Sequence, residues 1–86
     1  MQEHHKLLLT IYEIVKNDPH PEHYGCRPRE LILRQLQEWS VIHQHLQLLR
    51  QEELINMEQQ DTLVIRITNA GIENAKQASK RVNANN

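Results

Sequence analysis

The chain has 86 residues, a formal charge of −1, 38% hydrophobic and 24% charged residues. That is the length of one domain, with a core thin enough that every apolar stripe has to be buried. No apolar run approaches the ~18 residues of a membrane span, and the near-neutral balance supplies no overall basic footprint for nucleic acid.

A single cysteine, Cys26, excludes an internal disulfide and points to a reducing compartment. The opening stretch "MQEHHKLLLTIYEIV" has neither the basic start nor the small-residue cleavage site of a signal peptide, so a cytoplasmic location is the expectation.

Residues 3–17 place Leu7, Leu8, Ile11, Tyr12, Ile14 and Val15 on one broad face, with Lys6, Glu13 and Lys16 opposite, which predicts a first helix. Leu9 falls on the polar side, as a single exposed leucine available to a dimer contact. Pro19 and Pro21 in "NDPHPEHYG" stop the helix, so residues 18–26 form a loop that ends in a short extended piece at residues 24–27. Pro28 occupies the favoured first position of a second helix, expected to run to about Glu38 with Ile32, Leu33, Leu36 and Trp39 as its apolar stripe. Ser40 reads as the N-cap of a third helix extending to about Glu53, whose buried stripe is Ile42, Leu46 and Leu49. His43, Gln44, Gln47, Arg50 and Gln51 lie on its other side.

After Leu54 the period changes from helical to alternating. "INME", a polar tip "QQD" and "TLVIRI" predict a β-hairpin in which Leu63, Ile65 and Ile67 face the core and Val64 and Arg66 face outward. A last helix begins at Thr68 as N-cap and carries Ile72, Ala75, Ser79 and Val82 on one side. The domain is expected to span residues 1–82, and the final "NANN", residues 83–86, to be a disordered tail. Gly71, one of only two glycines, falls in the first turn of this helix, where it costs about 1 kcal/mol relative to alanine. Close packing against the base of the hairpin would offset that loss.

The expected class is therefore mostly α with a small β-hairpin (α+β), in the order helix, helix, helix, hairpin, helix. Three helices, the last two joined by the short turn "EWS" and followed at once by a hairpin, describe a winged helix-turn-helix. Residues 40–75 resemble the winged-helix repressors of bacteria and phage, including the multiple-antibiotic-resistance type. The matching pieces are "SVIHQHLQLL" as recognition helix, "LLRQEELI" as its exit into the wing, and "IRITNAGIENA" as strand, cap and final helix. The resemblance implies a DNA-binding transcriptional regulator. A winged helix so weakly charged gains from pairing, because two copies double the phosphate contacts and match a palindromic site, so a homodimer or a larger assembly is the expectation. Two positions depart from the family pattern: Glu53 stands where a glycine usually opens the wing, and the recognition helix carries glutamines and histidines where DNA binders generally carry Lys and Arg.

On that reading Ser40, His43, Gln44 and Gln47 meet bases in the major groove, since glutamine bonds adenine bidentately. Arg29, Arg50 and Arg66 hold the phosphate backbone. The plainer alternative is the solvated face of a small domain, and the rival function is a protein-interaction module that keeps the fold without binding DNA. His20, His23 and Cys26 in "HPEHYGC" are three metal-ligand types within seven residues. A structural zinc site usually takes four converging donors. The loop therefore reads as polar with a partly buried thiol, and no metal or cofactor is expected. No phosphate-binding glycine loop or oxyanion turn accompanies Cys26, so an enzyme is not expected either.

Overall fold

The computed structural model describes residues 2–84, with side chains through Lys80. Helices α1 (Glu3–Val15), α2 (Pro28–Gln35) and α3 (Trp39–Gln51) are followed by strands β1 (Ile55–Gln59) and β2 (Leu63–Ile67) and by helix α4 (Asn69–Ala84). The order and the mixed, mostly helical class are those expected. Among the described residues no helix is long and apolar enough to cross a membrane.

Helix α1 buries Leu7, Leu8, Ile11 and Val15 through their 3.6-residue recurrence, and α3 buries Ile42, Leu46 and Leu49 in the same way. The two helices pack on each other, and α4 also lies against α1. Tyr12 and Ile14 reach the core only in part. Leu9 does not stand out in solvent as expected; it is half-buried against the same core, because the apolar face of α1 is covered on more than one side.

The strands pair antiparallel in the register Ile55↔Ile67 to Gln59↔Leu63, closed by a tip in which Gln60 N–H donates to the Thr62 carbonyl (3.1 Å). Cys26 adds one further rung on the outer edge of β2. Its N–H donates to the Ile65 carbonyl at 2.8 Å, and the Ile65 N–H donates back at 2.9 Å. The extended piece anticipated at residues 24–27 is therefore real, and it overturns one expectation. Val64, predicted to face outward, is buried, because the chain bearing Gly25 lies directly over it. A Cβ built on Gly25 would stand 2.7 Å from Val64 Cγ1.

Helix α2 is shorter than its apolar pattern suggests. It ends at Gln35, with Leu36 left-handed (φ 53°), so only Leu31 reaches the core. Leu33 is 65% and Leu36 88% exposed, and Ile32 is exposed as well. The expected stripe of Ile32, Leu33 and Leu36 is thus corrected: the helix turns Leu31 inward and those three outward. Trp39 packs partly against the core and belongs to α3, whose N-cap falls two residues earlier than predicted. Glu38 occupies the N-cap position, and Ser40 lies inside the first turn, exposed, without the capping role expected of it.

The exit from α3 forms a closed turn. Glu53 is left-handed (φ 62°), its N–H donates to the Arg50 carbonyl, and the Leu54 N–H donates to the Leu49 carbonyl, both at 3.0 Å. This is the paired hydrogen-bond pattern of a Schellman motif, completed by the burial of Leu49 and Leu54. Thr68 then secures the turn. Its hydroxyl donates to the Glu53 carbonyl (2.9 Å) and accepts from the Gly71 N–H (2.9 Å), while its own N–H donates to the Leu54 carbonyl (3.0 Å). Thr68 is the N-cap foreseen for α4. The backbone of α4 runs on through Asn83 and Ala84, two residues expected in the tail, because the helix continues past the last anticipated core position. The side chain of Val82, expected on the inner face, and residues 85 and 86 lie outside what the structure describes.

Gly71 lies against this turn. A Cβ there would come within 2.1 Å of the Leu54 carbonyl oxygen and 2.8 Å of Ile67 Cγ1. The obstacle is backbone, which cannot swing aside, so the close approach requires the missing side chain. Gly71→Ala should lower stability in urea unfolding by about 1–3 kcal/mol despite alanine's better helix propensity; equal or greater stability would refute the close packing. Glu53→Gly should act in the opposite sense. It removes a left-handed penalty of roughly 1–2 kcal/mol, and a gain near the lower end is expected in the same assay because glycine loosens the unfolded chain; a loss would show that Glu53 is held by contacts that compensate its backbone.

Candidate nucleic-acid interface

Burial of Ile42, Leu46 and Leu49 determines which way the rest of α3 faces. Ser40, Gln44, Gln47 and Gln51 recur at i, i+4, i+7 and i+11 and share the side opposite the core. Ser40, Gln44 and Gln51 are exposed and Gln47 is half-buried. Beside them runs a second row, Trp39, His43, Gln47 and Arg50. The Trp39 and His43 rings stand 5.5 Å apart, the Gln47 amide donates to His43 Nε2 at 3.4 Å, and Arg50 reaches Gln47 Oε1 at 3.5 Å. These bonds are long and mostly at the surface, so they orient the side chains while leaving them able to exchange partners.

The structure brings five of the seven predicted contact residues together: Ser40, His43, Gln44, Gln47 and Arg50 occupy one polar surface of one helix. The other two are not joined to it. Arg66, on β2, stands 3.7 Å from Glu58 across the hairpin, and Arg29 is exposed near the start of α2. Among the described residues no hydrogen bond or ion pair connects Arg29 to α3. The Glu58 carboxyl is held below its usual range by a hydrogen bond from Gln60 and by the Arg66 charge. The acidic hairpin tip is partly neutralised in this way, though Asp61 remains exposed.

Neighbouring polar contacts brace α2 and the hairpin. Arg27 Nη1 donates to Thr62 Oγ1 (2.7 Å), linking the start of α2 to the hairpin tip, and the Tyr24 hydroxyl donates to Glu30 Oε1 (3.2 Å). The Glu30 charge and burial raise the Tyr24 pKa above the ordinary phenol value. Thr10 Oγ1 donates to Gln35 Oε1 (2.6 Å), tying α1 to the end of α2.

The loop candidates for metal separate. Cys26 is fully buried in the core, whereas His20 and His23 are exposed with their rings 5.6 Å apart. The residue that joins them is Glu22. Cys26 faces the core because its backbone pairs with Ile65, which removes it from the set.

A second group was not anticipated. His4 and His5 both reach Glu52, the C-cap of α3, with His4 Nε2 2.9 Å from Oε2 and His5 Nε2 2.8 Å from Oε1. Hydrogen bonds from His5 and then His4 lower the Glu52 pKa. Consecutive histidines in the first turn of a helix were the available signal; a partner 47 residues away was not.

No protein-family model matches the chain, and a search of curated proteins finds no relative. The functional reading therefore rests on the geometry above.

Burial, followed by the Glu30 charge, pushes the Cys26 thiol up to about 12. The thiolate is the reactive form. Native protein at pH 8 should therefore resist alkylation by iodoacetamide, with labelling appearing across the urea unfolding transition; rapid labelling of native protein, followed by mass spectrometry, would contradict the buried placement.

Proposed function

We propose that the protein is a winged-helix DNA-binding domain that acts in transcriptional control, inserting α3 into the major groove. The observation that carries this reading is the outward surface of α3. Three glutamines, a histidine, a serine and Arg50 project there from a helix whose other side is clamped by Ile42, Leu46 and Leu49. Side-chain amides of this kind offer a donor and an acceptor to one adenine edge, and Arg50 offers a cation to phosphate or guanine. The order α2, short turn, α3, hairpin supports the same reading, with β1 and β2 as the wing beside the groove.

Electrostatics limits how tightly one domain binds. Arg29, Arg50 and Arg66 are the proposed phosphate contacts, and Arg66 is already shared with Glu58. A homodimer on a two-fold site doubles those contacts and the bases read.

A second reading draws on α2. Leu36 combines a left-handed backbone with 88% exposure, and Leu33 beside it is 65% exposed. Strained and apolar side chains held in solvent are features of recognition surfaces. They favour a protein-interaction module that keeps the same architecture.

Fluorescence anisotropy on a labelled random duplex separates the two. Two or three phosphate contacts give a slope of log affinity against log salt of about −2 to −3 per domain, doubled for a pair. A double Gln44→Ala, Gln47→Ala variant should keep its melting temperature and lose sequence preference in a selection from random duplexes. No binding at low salt, or a salt-independent signal, would move the assignment to the interaction module.

A further inference from the structure

His4 and His5 are neighbours in the first turn of α1, where adjacent side chains normally diverge by about 100°. Here both rings turn to one point. Their centroids are 4.1 Å apart, and each Nε2 meets one oxygen of Glu52. The donor atoms of all three residues lie within 4.8 Å of one another. The His4 side chain is 8% exposed and Glu52 42%, so the group has a closed inner end and an open outer one.

We propose that His4, His5 and Glu52 form a binding site for a transition-metal dication of the zinc class. Two imidazoles and one carboxylate are a donor set that zinc accepts, with a fourth position left to water or an added ligand. Zinc holds these donors at about 2.0–2.2 Å, which places tetrahedral donors about 3.3 Å apart. His4 and His5 now meet different oxygens of Glu52, at 2.9 and 2.8 Å, and one donor atom from each residue lies within 4.8 Å of the others. A small outward rotation of the exposed Glu52 carboxylate makes room for the ion between them. On binding, each imidazole presents a lone pair at Nε2 and carries its proton on Nδ1, or releases one to solvent if it began protonated.

The donors are positioned in advance by packing. Leu7 and Leu8 follow His4 and His5 into the core, and Leu46 and Leu49 precede Glu52 on α3. The metal would bridge two packed helices, with ligands held by rigid elements. The other three-donor group, His20, Glu22 and His23, lies on a single turn at the surface. Two of its three members are exposed, and all three come from one short segment. It is the weaker site on the same chemistry. The inference concerns the junction of α1 with the end of α3 and holds whatever the outer face of α3 binds.

The test uses untagged protein stripped with a chelator and titrated with cobalt(II), whose four-coordinate complexes absorb visible light strongly, then with zinc(II) in competition. One cobalt per chain, displaced by zinc, is expected. At free zinc 100 times the dissociation constant, the unfolding equilibrium constant should fall about 100-fold. His5→Gln and Glu52→Gln, both at the open end of the trio, should each weaken binding at least tenfold with unchanged circular dichroism, and His20→Gln should leave it unaltered. If one of the first two variants unfolds, the other decides. Absence of stoichiometric binding at micromolar metal would overturn the proposal, and so would binding lost with His20→Gln but retained in His5→Gln or Glu52→Gln.

Discussion

The carbonyl of Leu54 is the point on which the two halves of the molecule close. It accepts the Thr68 N–H, and Gly71 lies almost on top of it. The chain leaves α3 through a left-handed Glu53, runs out along β1, returns along β2, and has to arrive with Thr68 facing the place it left. The Thr68 hydroxyl serves both sides of that meeting, donating to the Glu53 carbonyl and accepting from the first turn of α4. Loss of an N-cap hydroxyl of this kind costs about 0.5–2 kcal/mol. The angle between α3 and the hairpin is therefore set by backbone groups that cannot slip, and side-chain packing fills in around them.

That angle determines what the molecule shows to its surroundings. With Ile42, Leu46 and Leu49 facing α1 and the core, the amides of α3 have only the outside available. Strand β2 is paired along both edges, by β1 and by the Cys26 rung, and Arg27 ties the hairpin tip to the start of α2. A helix and a ribbon braced in this way can meet a partner as one rigid unit. Preorganisation of this kind reduces the ordering cost of association, which matters most where few charges contribute.

What the sequence made legible follows its periodicity. The faces of α1 and α3, the hairpin and the Thr68 cap leave local marks, because each depends on neighbours within four residues or on strict alternation; Gly71 is visible as a glycine at a costly helical position, although what it packs against is the Leu54 carbonyl before the hairpin. The misreadings share a physical cause in contacts that have no local mark. Val64 is buried by a loop that crosses from residues 24–26, which alternation along β2 cannot reveal. Ile32, Leu33 and Leu36 look like a stripe only if α2 continues, and the left-handed Leu36 ends it. Trp39 packs partly against the core and opens α3, so Ser40 falls inside the helix and loses the capping geometry. At the candidate interface the α3 residues were recoverable because they lie on one helix, whereas the engagement of Arg66 by Glu58 depends on strand register. The trio at His4, His5 and Glu52 needs the crossing of α1 over the end of α3, which no single segment encodes.

The distribution of charge bears on how a domain of this kind would select a site. Around α3 the carboxylates stand at the two ends, Glu38 before its first turn and Glu52 and Glu53 after its last, while the outward face between them carries none. An anionic duplex is therefore repelled unless it approaches the middle of the helix, where the glutamines are. Glu58, bonded by Gln60 and facing Arg66, adds less repulsion than an isolated carboxylate would. If the domain binds DNA as proposed, non-specific phosphate attraction is weak under this arrangement, and a larger share of the binding energy has to come from hydrogen bonds to base edges, each good bidentate contact discriminating by about 1–3 kcal/mol. On that proposal the domain would trade affinity for discrimination and gain from pairing. Two such surfaces on one duplex double the base contacts, while the carboxylates at the helix ends oppose every misaligned docking.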